Sequence, residues 1–115
     1  MLEIFKKLVE IPGGSGFEEK VIEAVFGELK KRVPEVSVDP MGNVIGKMGT
    51  GKRSVMVSVH TDEMCLLVKY IDEKGYVYFD LNGLIDERAL LSTKVDLCTE
   101  KGICTGVIGV KNRHL

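Results

Sequence analysis

A histidine and two acidic residues directly follow an apolar stretch of this 115-residue sequence. His60 and Asp62 are separated by one residue, and Glu63 comes next. In an extended chain, side chains two positions apart point to the same side, so His60 and Asp62 face together and Glu63 faces away. A neutral imidazole is a good ligand for zinc or cobalt, and a nearby carboxylate can fix its tautomer or bind the metal itself. The segment therefore predicts part of a metal site, with a solvated strand end as the alternative.

The sequence offers few partners for such a site, because a metal centre needs three or four ligands and this segment supplies one or two. His114 lies next to the last residue, where an exposed tail is expected. Cys65, Cys98 and Cys104 form no CxxC pair and are predicted to be buried small hydrophobic side chains. Cys98 and Cys104 flank a predicted turn and are placed to face each other across a hairpin. No complete catalytic set is evident.

The elements that must position His60 begin with two predicted helices. Apolar residues at three- and four-residue spacing predict a helix from Leu2 to Ile11, ended by a Pro-Gly-Gly sequence. A second helix follows and should end near Pro34. Ser15 is its predicted N-cap, with Glu18 as the capping-box partner. The glycine-rich sequence around Ser15 follows a helix rather than a strand, which favours a turn over a phosphate-binding loop.

The segment before His60 is predicted to be a central strand. Val55, Val57 and Val59 alternate with other residues, and both faces are apolar enough to be covered by helices. His60 then lies at the carboxyl end of a strand, which is where open α/β sheets bind ligands. Further strands are predicted at 36–39, 43–48, 64–71, 76–81, 94–99 and 103–110, and a helical turn at 86–91. The pattern changes from α/β to purely β near residue 65.

Composition excludes several classes of protein. Hydrophobic residues make up 44%, charged residues 29%, and the net charge is -1, which is typical of a soluble globular protein. No nucleic-acid partner is indicated, because the one basic cluster, Lys30 to Arg32, lies at a predicted helix end where it complements the helix dipole. The first ten residues contain neither a signal-peptide core nor a membrane span, so a cytoplasmic location and no membrane partner are expected.

Several motifs taken in order resemble the cobalt- or zinc-dependent aminopeptidases of the glutamyl and deblocking type, which include the tetrahedral aminopeptidases. The motifs are Ile11–Glu19, Asp39–Gly46, Val55–Glu63, Val68–Asp72, Gly75–Tyr76, Gly83–Asp86, Gly106–Lys111 and His114–Leu115. They extend over essentially the whole chain. Their combined order is more specific than any one of them.

The resemblance implies an α/β peptidase domain that is interrupted by a β-rich, barrel-like domain involved in oligomer assembly. Residues 1–65 would be the first part of the peptidase domain, and residues 66–115 most of the insert. His60 matches the family's first metal-ligand histidine, and Asp62 matches the catalytic acid that supports the metal site. The complete family enzyme holds two zinc or cobalt ions and hydrolyses the N-terminal peptide bond of peptides.

Two departures from the family pattern shape the functional expectation. Cys65 stands near a position where the family usually has glycine. The family's bridging aspartate, catalytic glutamate pair and later ligands have no counterpart in the sequence, so we expect a truncated or fragmentary member that binds metal weakly and is inactive alone. The alternative is a non-catalytic module that associates with itself or with a full-length relative, because its incomplete sheet leaves apolar residues uncovered.

Overall fold

The computed structural model describes residues 1–110 and begins with two α-helices. Helix α1 spans Leu2–Val9 and helix α2 spans Glu19–Lys30. Helix α2 buries Val21, which is 4% exposed and is the one buried hydrophobic side chain among the described residues. The prediction that Ser15 caps α2 is wrong: the helix starts later, its N-cap is Glu18, and no side chain caps it.

A β-hairpin follows α2 and packs against it. Strands β1 (Glu35–Val38) and β2 (Val44–Lys47) pair antiparallel. Their turn is held by Asp39, whose carboxylate accepts hydrogen bonds from the backbone N–H of Met41 and Asn43, each at 2.9 Å. The hairpin therefore agrees with the sequence prediction to within a few residues, because its turn chemistry is local.

Two further hairpins follow in the second half of the described chain. Strands β3 (Cys65–Ile71) and β4 (Val77–Asn82) pair antiparallel, with an irregularity between Val68 and Tyr70. Strands β5 (Lys94–Thr99) and β6 (Gly102–Val107) form the third pair. A 3₁₀ turn at Glu87–Ala89 precedes β5. Both α-helices thus lie in the first 30 residues, and the three hairpins follow them in sequence. The domain boundary at residue 65 stays a prediction.

The segment before His60 differs from the sequence prediction, because it pairs with no other strand among residues 1–110. Its apolar side chains are exposed: Val55 is 91%, Val57 86% and Val59 82% accessible. A central strand of a parallel sheet needs a neighbour on each side and helices on both faces. The described residues supply neither to this segment, which is why alternation of valines alone does not produce a strand here.

The cysteines also differ from the prediction. In the third hairpin Cys104 pairs with Leu97, and Cys98 pairs with Ile103. Directly paired residues share a face and successive residues alternate, so Cys98 and Cys104 lie on opposite faces of the hairpin. All three cysteines are free thiols, and the prediction that they are buried is wrong: Cys98 and Cys104 are exposed on the hairpin, and Cys65 is half-buried.

The molecule is elongated, with extents of 68 × 30 × 28 Å and a radius of gyration of 18.7 Å. A compact domain of similar length has a radius of gyration of about 13 Å. No helix within residues 1–110 is long and apolar enough to cross a membrane.

Candidate metal-binding segment

His60 and Asp62 lie side by side in the extended segment that precedes β3. The Nδ1 atom of His60 is 3.2 Å from the Oδ1 atom of Asp62 and 3.0 Å from the backbone oxygen of Asp62. The two side chains therefore share one side, as expected from their spacing. Both are accessible, since 87% of the His60 side chain and 42% of the Asp62 side chain are exposed.

The segment is held against the loop between α1 and α2. Glu63 makes two contacts with Gly13: its Oε1 atom accepts a hydrogen bond from the Gly13 N–H at 2.9 Å, and its own N–H donates to the Gly13 oxygen at 2.9 Å. Gly14 and Glu63 form an isolated parallel bridge. The hydroxyl of Ser15 donates to the Oδ2 atom of Asp62 at 2.7 Å.

Close approach of this loop depends on glycine at position 14. A Cβ atom there would lie 2.7 Å from the Cys65 Sγ atom and 3.1 Å from its Cβ atom. Residues 14 to 17 form a turn in which the Phe17 N–H donates to the Gly14 oxygen at 2.8 Å. Gly16 has φ +87°, which a residue with a side chain adopts only with strain. The predicted turn is therefore present, and it presents Ser15 to Asp62.

The electrostatics of Asp62 favour its charged form. The pKa of Asp62 is lowered, first by the hydrogen bond from the Ser15 hydroxyl and then by the nearby His60 imidazole, and partial desolvation opposes both. A carboxylate accepts hydrogen bonds, so the contact between His60 and Asp62 favours the tautomer of a neutral imidazole that carries its proton on Nδ1. The Nε2 atom then keeps its lone pair.

This arrangement fits one metal ligand and the acid that orients it. Metal-ligating histidines usually donate their second ring N–H to a carboxylate or a carbonyl oxygen, and both acceptors lie beside the Nδ1 atom of His60. Among residues 1–110, no three His, Cys, Asp or Glu side chains are grouped closely enough to hold an ion. The second predicted candidate, His114, lies outside the described residues.

Sequence reasoning missed the part that the loop plays at this site. Ser15 was assigned to helix capping, and Gly13 and Gly14 to a simple turn, yet all three contact the segment of residues 62 to 65. No local signal could reveal this, because Ser15 and Asp62 are 47 positions apart. A cleft of about 570 Å³ is lined by residues of β4, by residues of the segment between β4 and β5, and by Ile108 and Val110, and it includes neither His60 nor Asp62.

Sequence comparison with known proteins finds similarity to aminopeptidases. The sequence profile of the M42 glutamyl aminopeptidases matches residues 42–115. A lysyl aminopeptidase of Pyrococcus furiosus is 39% identical over 115 residues, which is 98% of this chain and 33% of that protein.

Solved structures agree with the sequence comparison. The TET aminopeptidase of Thaumarchaeota archaeon SCGC AB-539-E09 matches with a TM-score of 0.89 and 32% identity, over 99% of this chain and 32% of that one. The TET1 peptidase of Pyrococcus horikoshii, which assembles into a tetrahedron or a large octahedral shell, matches with a TM-score of 0.84 and 39% identity, over 99% and 34% of the two chains. The chain thus spans about a third of the length of these relatives.

Proposed function

Because the chain belongs to the M42 glutamyl aminopeptidase family, we propose that it supplies part of a metal-dependent peptidase domain that removes residues from the N-terminus of peptides. The observation that carries this proposal is the pairing of His60 with Asp62 at 3.2 Å, in a chain that matches TET aminopeptidases over 99% of its length. We assign residues 1–65 to the peptidase domain and residues 66–115 to the β-rich insert.

In this proposal His60 binds the metal ion through its Nε2 atom. Asp62 holds the proton of the imidazole on Nδ1 and fixes the orientation of the ring. The ion that His60 would help to hold, which we propose to be zinc or cobalt, would supply Lewis acidity in the complete site. A complete site needs three or four ligands, so we expect this chain alone to bind a metal weakly and to hydrolyse no peptide.

The proposal is tested by replacing the matching first third of the Pyrococcus horikoshii TET1 peptidase with this chain. We expect the chimera to release p-nitroaniline from aminoacyl p-nitroanilides when cobalt or zinc is added. Asp62→Asn should lower activity about 10- to 100-fold, which is the usual cost of losing the partner of a metal-bound histidine. His60→Ala should remove it.

Light scattering and the activity assay together decide between the outcomes. A chimera that assembles like TET1 but hydrolyses nothing would contradict the proposal, and so would one whose activity survives His60→Ala. Glu23→Gln serves as the control, because Glu23 is an exposed carboxylate on α2 and not part of the segment of residues 60 to 63.

A second candidate function is a non-catalytic assembly module. The observation that favours it is the exposure of the three alternating valines before His60. The Pyrococcus horikoshii TET1 peptidase assembles into a tetrahedron or a large octahedral shell. In this alternative the chain associates with copies of itself or with a full-length relative, and His60 takes part in no reaction.

A further inference from the structure

The hydroxyl of Ser15 has a use that its place in the sequence does not suggest. Ser15 lies four residues before the first residue of α2, and no side chain caps that helix. Its hydroxyl instead donates to the Oδ2 atom of Asp62 at 2.7 Å. The other oxygen of the same carboxylate, Oδ1, lies 3.2 Å from the Nδ1 atom of His60. Each oxygen of Asp62 therefore has its own partner.

This division of partners restrains the carboxylate. Asp62 and His60 are both exposed to solvent, at 42% and 87% of their side chains, so water competes for every polar atom of the pair. A carboxylate with a partner on one oxygen can still rotate about its side-chain bonds, whereas partners on both oxygens prevent this rotation. The Ser15 hydrogen bond thus selects the Asp62 rotamer that faces the imidazole.

The loop that carries Ser15 is itself fixed in place. The two hydrogen bonds between Gly13 and Glu63, both 2.9 Å long, hold the backbone of the loop against the segment. Gly14 permits the close approach, since a Cβ atom there would lie 2.7 Å from Cys65 Sγ. The hydroxyl of Ser15 is delivered to Asp62 by these backbone contacts, not by a flexible side chain that reaches across solvent.

We propose that Ser15 is a positioning residue, whose hydroxyl holds Asp62 against His60 and so keeps the imidazole proton on Nδ1 and the Nε2 lone pair available for a metal ion. The metal-binding consequence rests on the function proposed above. The tautomer itself does not, because it is a property of the metal-free chain and can be measured without any ion.

The test is nitrogen NMR of the His60 ring in the full 115-residue chain, in metal-free and mildly alkaline buffer where a histidine side chain is ordinarily neutral. Wild type and Ser15→Thr, which keeps the hydroxyl, should protonate mainly Nδ1. Ser15→Ala should lower the ratio of the Nδ1-protonated to the Nε2-protonated form about 2- to 10-fold, as expected for the loss of one hydrogen bond. Asp62→Asn gives the tautomer ratio of His60 in the absence of the carboxylate. Ser37→Ala is the matched control, because it removes a hydroxyl from an exposed position on β1.

A tautomer ratio in Ser15→Ala equal to that of the wild type would overturn the proposal. A ratio in Ser15→Thr as low as that in Ser15→Ala would also overturn it, because the loop and not the hydroxyl would then be responsible. The amide signals of Gly13 and Glu63 report whether the loop stays docked, and a shifted ratio with these signals unchanged supports the proposal.

Addition of Co²⁺ separates this proposal from the proposed function. Selective broadening of the His60 ring signals, weaker in Ser15→Ala, supports both. A tautomer ratio that depends on the Ser15 hydroxyl, with no effect of Co²⁺ on His60, supports the positioning role and contradicts the metal site.

Discussion

Glu28 joins three basic side chains at the junction of the two helices. Its carboxylate lies 2.7 Å from Arg32, 2.8 Å from Lys31 and 3.3 Å from Lys7, and Lys7 belongs to α1. The hydrogen bonds from Lys31, Arg32 and Lys7 lower the pKa of Glu28 to about 2 from its ordinary 4.5. The basic cluster at the end of α2 thus pairs with its own helix, which supports its assignment to helix stabilisation.

These contacts predict a pH dependence of folding. Since the pKa of Glu28 is lower in the folded state, its contribution to stability is complete above pH 4.5 and is lost as the pH falls towards about 2. We expect Glu28→Gln to reduce helix content at neutral pH. The helix content of this variant should also change less than that of the wild type as the pH falls from 4.5 towards about 2. Circular dichroism across the pH range tests this, with Glu23→Gln as the control. Identical acid curves for wild type and Glu28→Gln would contradict it.

Residue spacing predicted the contact between His60 and Asp62 but not the contact between Ser15 and Asp62. His60 and Asp62 are two positions apart, so the geometry of extended backbone alone places them together. Ser15 and Asp62 meet only through the fold, across 47 positions. Local patterns therefore assigned the Ser15 hydroxyl to the nearest helix, where serine is commonly a cap.

At the scale of elements, the second hairpin begins and ends beside the candidate site. Gly83 follows β4 with φ +100°, and a Cβ atom there would lie 2.7 Å from the Met64 Cγ atom and 3.5 Å from its Cα atom. Gly75, in the turn between β3 and β4, has φ +84° and open space around it. The same hairpin thus contains two glycines with similar positive φ angles and different surroundings.

This pair gives a matched prediction. Alanine at either position forces a side chain into the left-handed region, at a cost of about 1–2 kcal/mol. Gly83→Ala must also displace Met64, which is 62% exposed and can move, so we expect this contact to add about 1 kcal/mol. Urea unfolding followed by circular dichroism compares the two variants. Equal midpoints for Gly83→Ala and Gly75→Ala would show that Met64 does not restrict this position.

The elements were predictable where their pairing is local. All three hairpins follow the predicted strands closely, because each strand meets its partner across a short turn. The segment before His60 was predicted as a strand from its alternating valines, yet pairing depends on neighbours distant in sequence. None lies beside it among residues 1–110.

The whole molecule has little interior of its own. Val21 is the one buried hydrophobic side chain among the described residues, whereas Val55, Val57 and Val59 are 82% to 91% exposed. Exposed apolar patches of this kind favour association. We therefore expect the 115-residue chain to self-associate at rising concentration, as the assembly-module alternative also requires.

Two lysine substitutions in one segment test this expectation. Val57→Lys adds a charge and removes an apolar side chain, whereas Ser58→Lys adds the same charge and leaves the valines in place. Light scattering should show that Val57→Lys lowers the average mass more than Ser58→Lys does. A wild-type chain that is strictly monomeric over the concentration range would contradict the expectation.

The parallel bridge between Gly14 and Glu63 has a consequence for the order in which the chain folds. The Ser15–Asp62 contact beside it closes a loop of 47 positions, which costs about 2 kcal/mol more in chain entropy than closing a short hairpin turn. The helices and hairpins can form from near neighbours, but the site must wait for distant parts of the chain to meet. We therefore expect the segment of residues 60 to 63 to dock on the loop late in folding and to detach from it early in unfolding.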